Sequence, residues 1–468
     1  MKKRLVRHGI AVIGIAVLAF TSCKLMGAIG GSIRDHFIGP PESGSPSTQD
    51  QAPAGSGSPS VQDQETQLIF TEINNGTAYS VSAGTEISDA VVIPATYNGK
   101  PVTQIGVEAF FGRTNLASIT IPAGVTSIGG GAFSGCTSLT SVTIPEGVTS
   151  IGVKAFSSCT NLASITIPAS VTDIGWCAFS GCTSLTSITV AADNSNFTSE
   201  GGVLYNKDKT TLIQAALGAI SGSFTIPDSV TSIGYGAFAS CTNLASITIP
   251  ASVTEISNTI YNGGPPNILY DGAFSGTAWL NNQPDGLVYA GKVLYGYKGT
   301  MPANTIINNI RADTVSIAGG AFNERRNLTR ITIPASVRYI GRSAFGQHLG
   351  LITVIFERGS RLETIASDAF YHCDNLASIT IPEGVTVIGS NAFFYCRNLA
   401  SITIPASVTS VGYYAFGAWL YSQTIYVQGK DQTEADKAWG VDWRMWRYYL
   451  VDSGSRYENI DARIVYQR

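Results

Sequence analysis

Charged side chains are scarce in this sequence. Lys, Arg, Asp and Glu together make up 13% of the 468 residues, and the formal net charge is −3. This is about half the charged fraction of an average soluble domain, and there is no excess of positive charge to bind nucleic acid. Apolar residues make up 44% of the chain, so a large core can form and the polar surface must be mostly Ser, Thr, Asn and Gly.

Side chains that catalyse reactions or bind metals are scarce as well. The chain has four histidines, and only His372 has a thiol next to it, that of Cys373. A single pair of this kind lacks the repeated spacing of a zinc site, so neither a metal nor another cofactor is predicted. Nucleophile-elbow, phosphate-loop and zinc-protease motifs are absent, and the carboxylates are scattered. These absences favour a binding protein over an enzyme.

A long apolar segment occurs only at the N-terminus. The basic residues 2–7 precede eleven apolar residues, 10–20, a stretch too short to span a bilayer comfortably. Cys23 follows two small residues, as in a bacterial lipobox, although Phe replaces the Leu of the stricter pattern. We predict a signal peptide over residues 1–23, lipidation at Cys23 and export to the outer membrane or cell surface, with a periplasmic-facing protein as the alternative. An unmodified Cys23 after an ordinary signal peptide is the other interpretation.

The segment 24–67 is predicted to be a disordered tether. Residues 40–67 are rich in Pro, Gly, Ser and Gln and contain an imperfect duplication of residues 43–51 as 56–64. So few apolar groups cannot offset the conformational entropy lost on folding. A low-complexity segment of this type suits a spacer between a lipid anchor and a folded domain.

The rest of the chain follows a 23-residue repeat that is marked by the dipeptide Ala-Phe. Most Ala-Phe intervals are 23 residues; the exceptions are 59, 36, 48 and 25. The repeat phenylalanines are Phe110, Phe133, Phe156, Phe179, Phe238, Phe274, Phe322, Phe345, Phe370, Phe393 and Phe416.

One regular unit, residues 151–173, shows the pattern of a leucine-rich-repeat strand. Leu162, Ile165 and Ile167 have the spacing Leu-x-x-Ile-x-Ile, and the alternation with Ser and Thr is typical of a half-buried strand. Gly152 and its equivalents are predicted to allow a tight turn. A single unit has too few apolar side chains to offset the ordering of its backbone, so units must stack.

The pattern Ile-Gly-x-x-Ala-Phe-x-x-Cys-x-x-Leu-x-x-Ile-x-Ile-Pro resembles the BspA-like leucine-rich-repeat family of bacterial surface proteins. The resemblance covers roughly residues 68–440 and implies a mainly β solenoid of 23-residue units with parallel strands. We predict an N-terminal cap at 68–110, the solenoid at 111–423 and a C-terminal cap at 424–468. Two irregular inserts, 194–223 and 276–318, contain hairpin-like sequences, and a short helix is expected to end near Trp439.

Six of the eight cysteines lie three residues after a repeat phenylalanine. One interpretation is a disulfide ladder, since stacked rungs lie about 4.8 Å apart. The other is a set of buried free thiols, which we predict because side chains at one phase of a repeat point the same way. Cys177 is out of phase and is expected to be more exposed. The in-phase cysteines are Cys136, Cys159, Cys182, Cys241, Cys373 and Cys396.

Residues that differ from the repeat pattern are candidate binding residues, because the packing of the repeat does not require these differences. Between residues 311 and 361, eight arginines stand against three acidic residues, an excess of five positive charges. In this segment Arg330 replaces a strand Ser, Arg338 and Tyr339 replace Thr-Ser, and Arg342 follows Ile-Gly. A solvated surface without a partner is the alternative. A second candidate group, which is otherwise explained as a solenoid cap, consists of Trp443, Arg444, Trp446 and Arg447.

Members of the resembled family are implicated in adhesion to host matrix proteins and to other bacteria. The resemblance therefore implies an adhesin that recognises a protein or glycan ligand at the cell surface while a lipid anchor holds it to the membrane. The alternative is a structural or antigenic coat protein without a specific ligand, and a third hypothesis is a periplasmic scaffold.

Overall fold

The computed structural model describes residues 67–257, 272–323, 325–440, 443 and 462–467. The predicted signal peptide, Cys23 and all but the last residue of the predicted tether lie outside these ranges. Within them, no helix has the length and hydropathy needed to cross a bilayer.

Each 23-residue unit forms one rung with two places for parallel pairing. The strand Ser164–Ile167 pairs in parallel with Ser187–Val190, so that Ser164 lies opposite Ser187. The two-residue strand Ser150–Ile151 pairs in parallel with Ser127–Ile128. We call the stack of the first kind the long ladder and that of the second kind the short ladder. The predicted mainly β solenoid of parallel strands is confirmed.

The short ladder recurs at nearly every rung because its buried Ile, usually followed by Gly, recurs. Its strands are Lys100–Ile105, Ser127–Ile128, Ser150–Ile151, Asp173–Ile174, Ser232–Ile233, Glu255–Ile256, Ser316–Ile317, Tyr339–Ile340, Thr364–Ile365, Val387–Ile388 and Ser410–Val411. The strands of the long ladder are Ala90–Val92, Ser118–Thr120, Ser164–Ile167, Ser187–Val190, Gly222–Thr225, Leu244–Thr248, Thr305–Ile307, Leu328–Ile333, Thr353–Phe356, Ser401–Ile404, Thr424–Gln428 and Arg463–Gln467.

Hairpins occur at the start of the described chain and in both predicted inserts. Leu68–Ile73 pairs antiparallel with Ala78–Ala83, which in turn pairs in parallel with the short-ladder strand Lys100–Ile105. The hairpin strands predicted in the inserts are confirmed, because Val203–Asn206 and Val293–Lys298 each pair antiparallel with the strand before them. Within the described residues, the remaining strands are Thr96–Tyr97, Phe197–Glu200, Thr211–Ala215 and Gly286–Ala290, and the helices are Ala278–Asn281 and Gln432–Trp439.

The core is a column of stacked phenylalanine rings inside the rungs. Phe110, Phe133 and Phe156 are completely buried, and consecutive ring centroids lie 5.3 and 5.1 Å apart. Burying each ring stabilises the fold by roughly 1.5–3 kcal/mol. The stack explains why the Ala-Phe dipeptide keeps its place when other positions of the repeat vary.

Two residues with left-handed backbone bracket most of the Ala-Phe pairs. In the rung of Phe156 they are Lys154 and Ser158, with φ of 55° and 60°. Gly152, by contrast, does not have a left-handed backbone. The predicted tight turn therefore does not explain why glycine occupies this position. A Cβ at Gly152 would lie 2.6 Å from the carbonyl carbon of Gly129 in the preceding rung. The repeat glycine is therefore required by the close approach of two rungs.

Candidate functional site

Two of the candidate arginines are held by carboxylates of the following rung. Arg338 makes bidentate hydrogen bonds to the carboxylate of Glu363, and the shortest N–O distance is 2.7 Å. Arg342 donates to Asp368 at 3.1 Å. Both carboxylates lie just beyond the segment whose charge excess singled out the arginines, so the predicted basic patch is partly neutralised within the chain.

The third candidate arginine lies on a different face. Arg330 is an exposed residue of the long-ladder strand Leu328–Ile333, whereas Arg338 immediately precedes the short-ladder strand Tyr339–Ile340. Arg325, from the same basic segment, is almost completely buried and donates to the carbonyl oxygen of Tyr297 at 2.8 Å. The arginines therefore do not form a single surface.

Tyr339 is half-buried in the short ladder. Its hydroxyl group donates to Glu255 at 3.4 Å. Burial raises the pKa of the Tyr339 phenol, and the Glu255 carboxylate raises it further. The side chain is therefore a neutral hydrogen-bond donor within the chain at physiological pH.

Trp443 covers the end of the aromatic core. It is completely buried and packs edge-on against Phe416, at 6.2 Å, and Trp439, at 5.3 Å between ring centroids. The helix Gln432–Trp439 ends at the predicted residue. Its N-cap is Asp431, which forms a capping box with Glu434. This burial makes Trp443 a packing residue and not the ligand-binding residue that the sequence suggested. Arg444, Trp446 and Arg447 lie outside the described residues.

The repeat cysteines are buried free thiols, as predicted. Burial raises the pKa of Cys136 and of Cys241 to about 12, so these thiols stay protonated and unreactive at physiological pH. Cys177 is more exposed than the in-phase cysteines, as expected, but at 7% exposure it is still buried.

Neither candidate histidine has the surroundings of a metal ligand. His372 lies 3.4 Å from Asp374, and His348 is completely buried. Among the described residues there is no group of three or more His, Cys, Asp or Glu side chains arranged to hold a metal.

The long ladder presents its most unusual outward face in the rungs between residues 305 and 356. Most other rungs place Ser and Thr outward, as in Ser164–Ile167. Here Ile306 lies opposite Arg330, which lies opposite Thr353 in the next strand. Ile355 takes the outward place of a Thr and is 40% exposed, while Ile306 is 55% exposed. Exposed aliphatic side chains that packing does not require are typical of binding surfaces.

A cavity of about 460 Å³ opens beside this face. It lies between the turn that contains Glu357 and Ser360 and the corresponding turn of the next rung, which contains Pro382 and Glu383. The rung between Phe345 and Phe370 has 25 residues instead of 23, and its extra length falls in the first of these turns. Long-ladder pairing between the two rungs is limited to the bridge from Thr353 to Ser378, whereas their short-ladder strands pair normally. The lining is completed by Thr353, Val354, Ile355, Phe356, Gly359, Ser378, Thr380 and Gly384.

Sequence reasoning missed this site, although the 25-residue interval was a visible signal. The cavity-lining residues Ile355, Phe356, Glu357 and Glu383 were not among the predicted binding residues. Of the predicted residues, only Arg330 borders the site, through its pairing with Thr353.

Three solved structures illustrate what the chain is similar to. A leucine-rich repeat protein from Eubacterium ventriosum is 22% identical over 76% of this chain and 94% of its own, with a TM-score of 0.36. A leucine-rich cell surface protein from Faecalibacterium prausnitzii is 22% identical over 80% and 96%, with a TM-score of 0.26. The pneumococcal vaccine antigen PcpA is 16% identical over 86% and 99%, with a TM-score of 0.28. No curated protein matches the chain.

The family comparison covers more than half of the sequence. The model of the BspA-type leucine-rich repeat region matches six copies, over residues 91–206, 220–266 and 302–427. These ranges contain every Ala-Phe pair except that of Phe274, most strands of both ladders and the cavity between Glu357 and Glu383. The chain belongs to the BspA-type leucine-rich-repeat family.

Proposed function

We propose that this protein is an exported surface protein that binds a protein or glycan of a host or neighbouring cell. Membership of a repeat family built on stacked rungs supports a binding role, because such solenoids offer extended surfaces. The lipobox-like sequence at Cys23 supports export and anchoring in a membrane. Catalysis finds no support in the titratable groups, since the buried thiols and the neutral Tyr339 are used for packing and hydrogen bonds inside the chain.

The observation that carries the proposal is the outward face of the long ladder around Ile306, Arg330 and Ile355. Solvent-facing Ile side chains cost solubility and contribute nothing to the core, so a binding role explains them better than folding does. Arg330 belongs to this face. Arg338 and Arg342 are not proposed as ligand groups, because Glu363 and Asp368 already hold their guanidinium groups.

A binding screen with two sets of variants tests the proposal. The full chain with Cys23→Ala, which prevents lipidation, is applied to immobilised matrix proteins and to a glycan array. We expect saturable binding that weakens when Ile306→Ser and Ile355→Thr restore the outward residues of the repeat. The control is Val92→Thr, because Val92 is a 41%-exposed apolar residue of the same ladder near the N-terminus.

Binding that the Ile306 and Ile355 changes leave intact would place the ligand on another face. A chain that binds none of these ligands would favour the alternative of a coat protein without a specific ligand. Protease accessibility of the folded part on intact cells separates both of these from a periplasmic scaffold.

A further inference from the structure

The residues that line the cavity beside Ile355 include two carboxylates and no positively charged group. Glu357 and Glu383 line it from opposite turns, and Lys, Arg and His are absent from its lining. One oxygen of Glu357 accepts a hydrogen bond from the main-chain nitrogen of Ala335 at 3.2 Å. Neither carboxylate is in a salt bridge within the described residues. A cation that enters the cavity therefore meets two carboxylates that have no cationic partner.

The same cavity has an apolar wall. Ile355, Phe356 and Pro382 are among the residues that line it. Lys and Arg side chains combine a charged head with an aliphatic stem that packs against apolar groups. We propose that the cavity takes one Lys or Arg side chain from an extended segment of a partner protein, an inference that rests on the proposed binding function.

A protein partner fits the surroundings better than a small cation or a sugar. Exposed apolar side chains also lie beside the cavity at Ile352, which is 46% exposed, and two strands away at Ile306, with Arg330 and Thr332 in the strand between. The cavity volume of about 460 Å³ lies within the range of sites that accept ligands larger than an ion. A segment with apolar residues next to its basic residue would cover both the cavity and the exposed Ile side chains.

The charges around the rim limit the number of basic residues in the ligand. Arg330, Arg358 and Arg361 are exposed near the cavity but do not line it. They would repel further positive charges on the same segment, because exposed charges interact over about 8 Å at physiological ionic strength. The structure therefore favours a single basic residue between neutral residues over a polybasic stretch.

An array of immobilised pentapeptides tests the proposal on the full chain. Each peptide has the sequence Gly-Val-X-Val-Gly, where X is Lys, Arg, norleucine, Gln or Glu, and a Lys-Lys-Lys version is included. We expect the strongest binding for Lys and Arg, with about fivefold less for norleucine, which keeps the aliphatic stem without the charge. The Lys-Lys-Lys peptide should bind no better than the peptide with one Lys.

Two matched carboxylate variants assign the binding to the cavity. Glu357→Gln with Glu383→Gln should abolish the preference for Lys over norleucine. Glu146→Gln should preserve it, because Glu146 occupies the same Pro-Glu-Gly turn as Glu383 in a rung of normal length. Circular dichroism checks that all variants are folded.

Three results would overturn the proposal: equal binding of Lys and norleucine, a preference for Glu, or a Lys preference that survives loss of both cavity carboxylates. These outcomes are distinct from failure of the proposed function. If Ile355→Thr weakens binding to a matrix protein or glycan while the peptide array shows no Lys preference, the binding face stands and the ligand chemistry of the cavity is wrong.

Discussion

The thiol of Cys159 donates a hydrogen bond to the main-chain carbonyl oxygen of Phe133, one rung earlier, at 3.1 Å. In the rung of Phe416 the same place is taken by Trp419, whose indole nitrogen donates to the carbonyl oxygen of Phe393 at 2.8 Å. This repeat position therefore holds a buried hydrogen-bond donor. The small size of cysteine alone does not explain its recurrence there. Equivalent contacts are made by Cys136, Cys182, Cys373 and Cys396.

Replacing Cys159 with Ala should lower the free energy of unfolding by about 1 kcal/mol, because the buried carbonyl group of Phe133 loses one of its two donors and keeps only the main-chain nitrogen of Cys136, at 3.1 Å. Cys159→Ser retains a donor of similar size and should cost less. Urea denaturation monitored by circular dichroism measures both. Equal losses for the two variants would show that the thiol acts through its volume alone.

The buried thiols should also resist modification. We expect slow labelling at Cys136 and Cys159 in the native protein and fast labelling after denaturation. Burial raises the pKa of the Cys136 thiol, and hydrogen bonding with Cys182 together with burial raises the pKa of the Cys159 thiol, so both stay protonated. Disulfides between rungs, found by mass spectrometry in protein purified without reductant, would contradict this.

Two glycines with different roles should respond differently to substitution by Ala. At Gly152 an added Cβ would overlap the backbone of the preceding rung, so Gly152→Ala should cost about 3 kcal/mol. Gly135 has a φ of 76° and its nearest neighbour would lie 3.5 Å from an added Cβ, so Gly135→Ala should cost about 1 kcal/mol of backbone strain. Shifts in the urea midpoint measure both, and a larger loss at Gly135 would refute the close-approach explanation.

The 23-residue period of the sequence predicts the fold. The apolar residues at equivalent positions can all face the core only if successive rungs stack in register. Contacts across a rung of unusual length are harder to predict. Arg338 and Glu363 are 25 residues apart. The basic segment ends at residue 361, so Glu363, the partner of Arg338, lies two residues outside it. The cavity cannot be predicted from composition either. Glu357 and Glu383 line the same cavity only because the longer turn lies beside the turn of the next rung.

His348 should make stability fall at acidic pH. Its side chain is buried, and among the described residues neither ring nitrogen has a hydrogen-bond partner. Burial lowers the pKa of His348 from 6.5 to about 4. Below about pH 6.5 the unfolded chain binds a proton that the folded chain does not, so stability decreases until the folded histidine also titrates near pH 4.

The predicted loss attributable to His348 is about 3 kcal/mol between these pH values. His348→Cys restores the residue of other rungs and should remove this part of the pH dependence. The measurement is the urea midpoint of both proteins from pH 7 to pH 4. Parallel curves for the two proteins would rule out the histidine as the cause.

Changing Cys23 to Ala should release the protein from the membrane fraction, because the predicted lipid anchor is attached to its thiol. Immunoblots of membrane and soluble fractions provide the measurement. The control is Cys177→Ala, which removes a buried thiol far from the predicted signal sequence. If the Cys23 variant stays in the membrane fraction to the same extent as the unaltered protein, the anchor prediction is wrong.

Trp443→Ala should destabilise the C-terminal rungs selectively. The ring is buried against Phe416 and Trp439, and truncating a buried Trp costs about 3–5 kcal/mol. In a stack where each rung contacts its neighbours, the loss should appear first at the end that the ring covers. Hydrogen exchange should therefore accelerate around Phe416 and Ile425 while the rungs near Phe133 keep their protection.

The control for Trp443 is Tyr421→Ala. Tyr421 is 67% exposed and belongs to the same end of the solenoid, so its loss should change stability by less than about 0.5 kcal/mol. Similar exchange profiles for the two variants would mean that Trp443 does not cap the core. Uniform acceleration along the whole chain in the Trp443 variant would instead show that the rungs unfold as one cooperative unit, so that stabilisation by the cap reaches beyond the neighbouring rung.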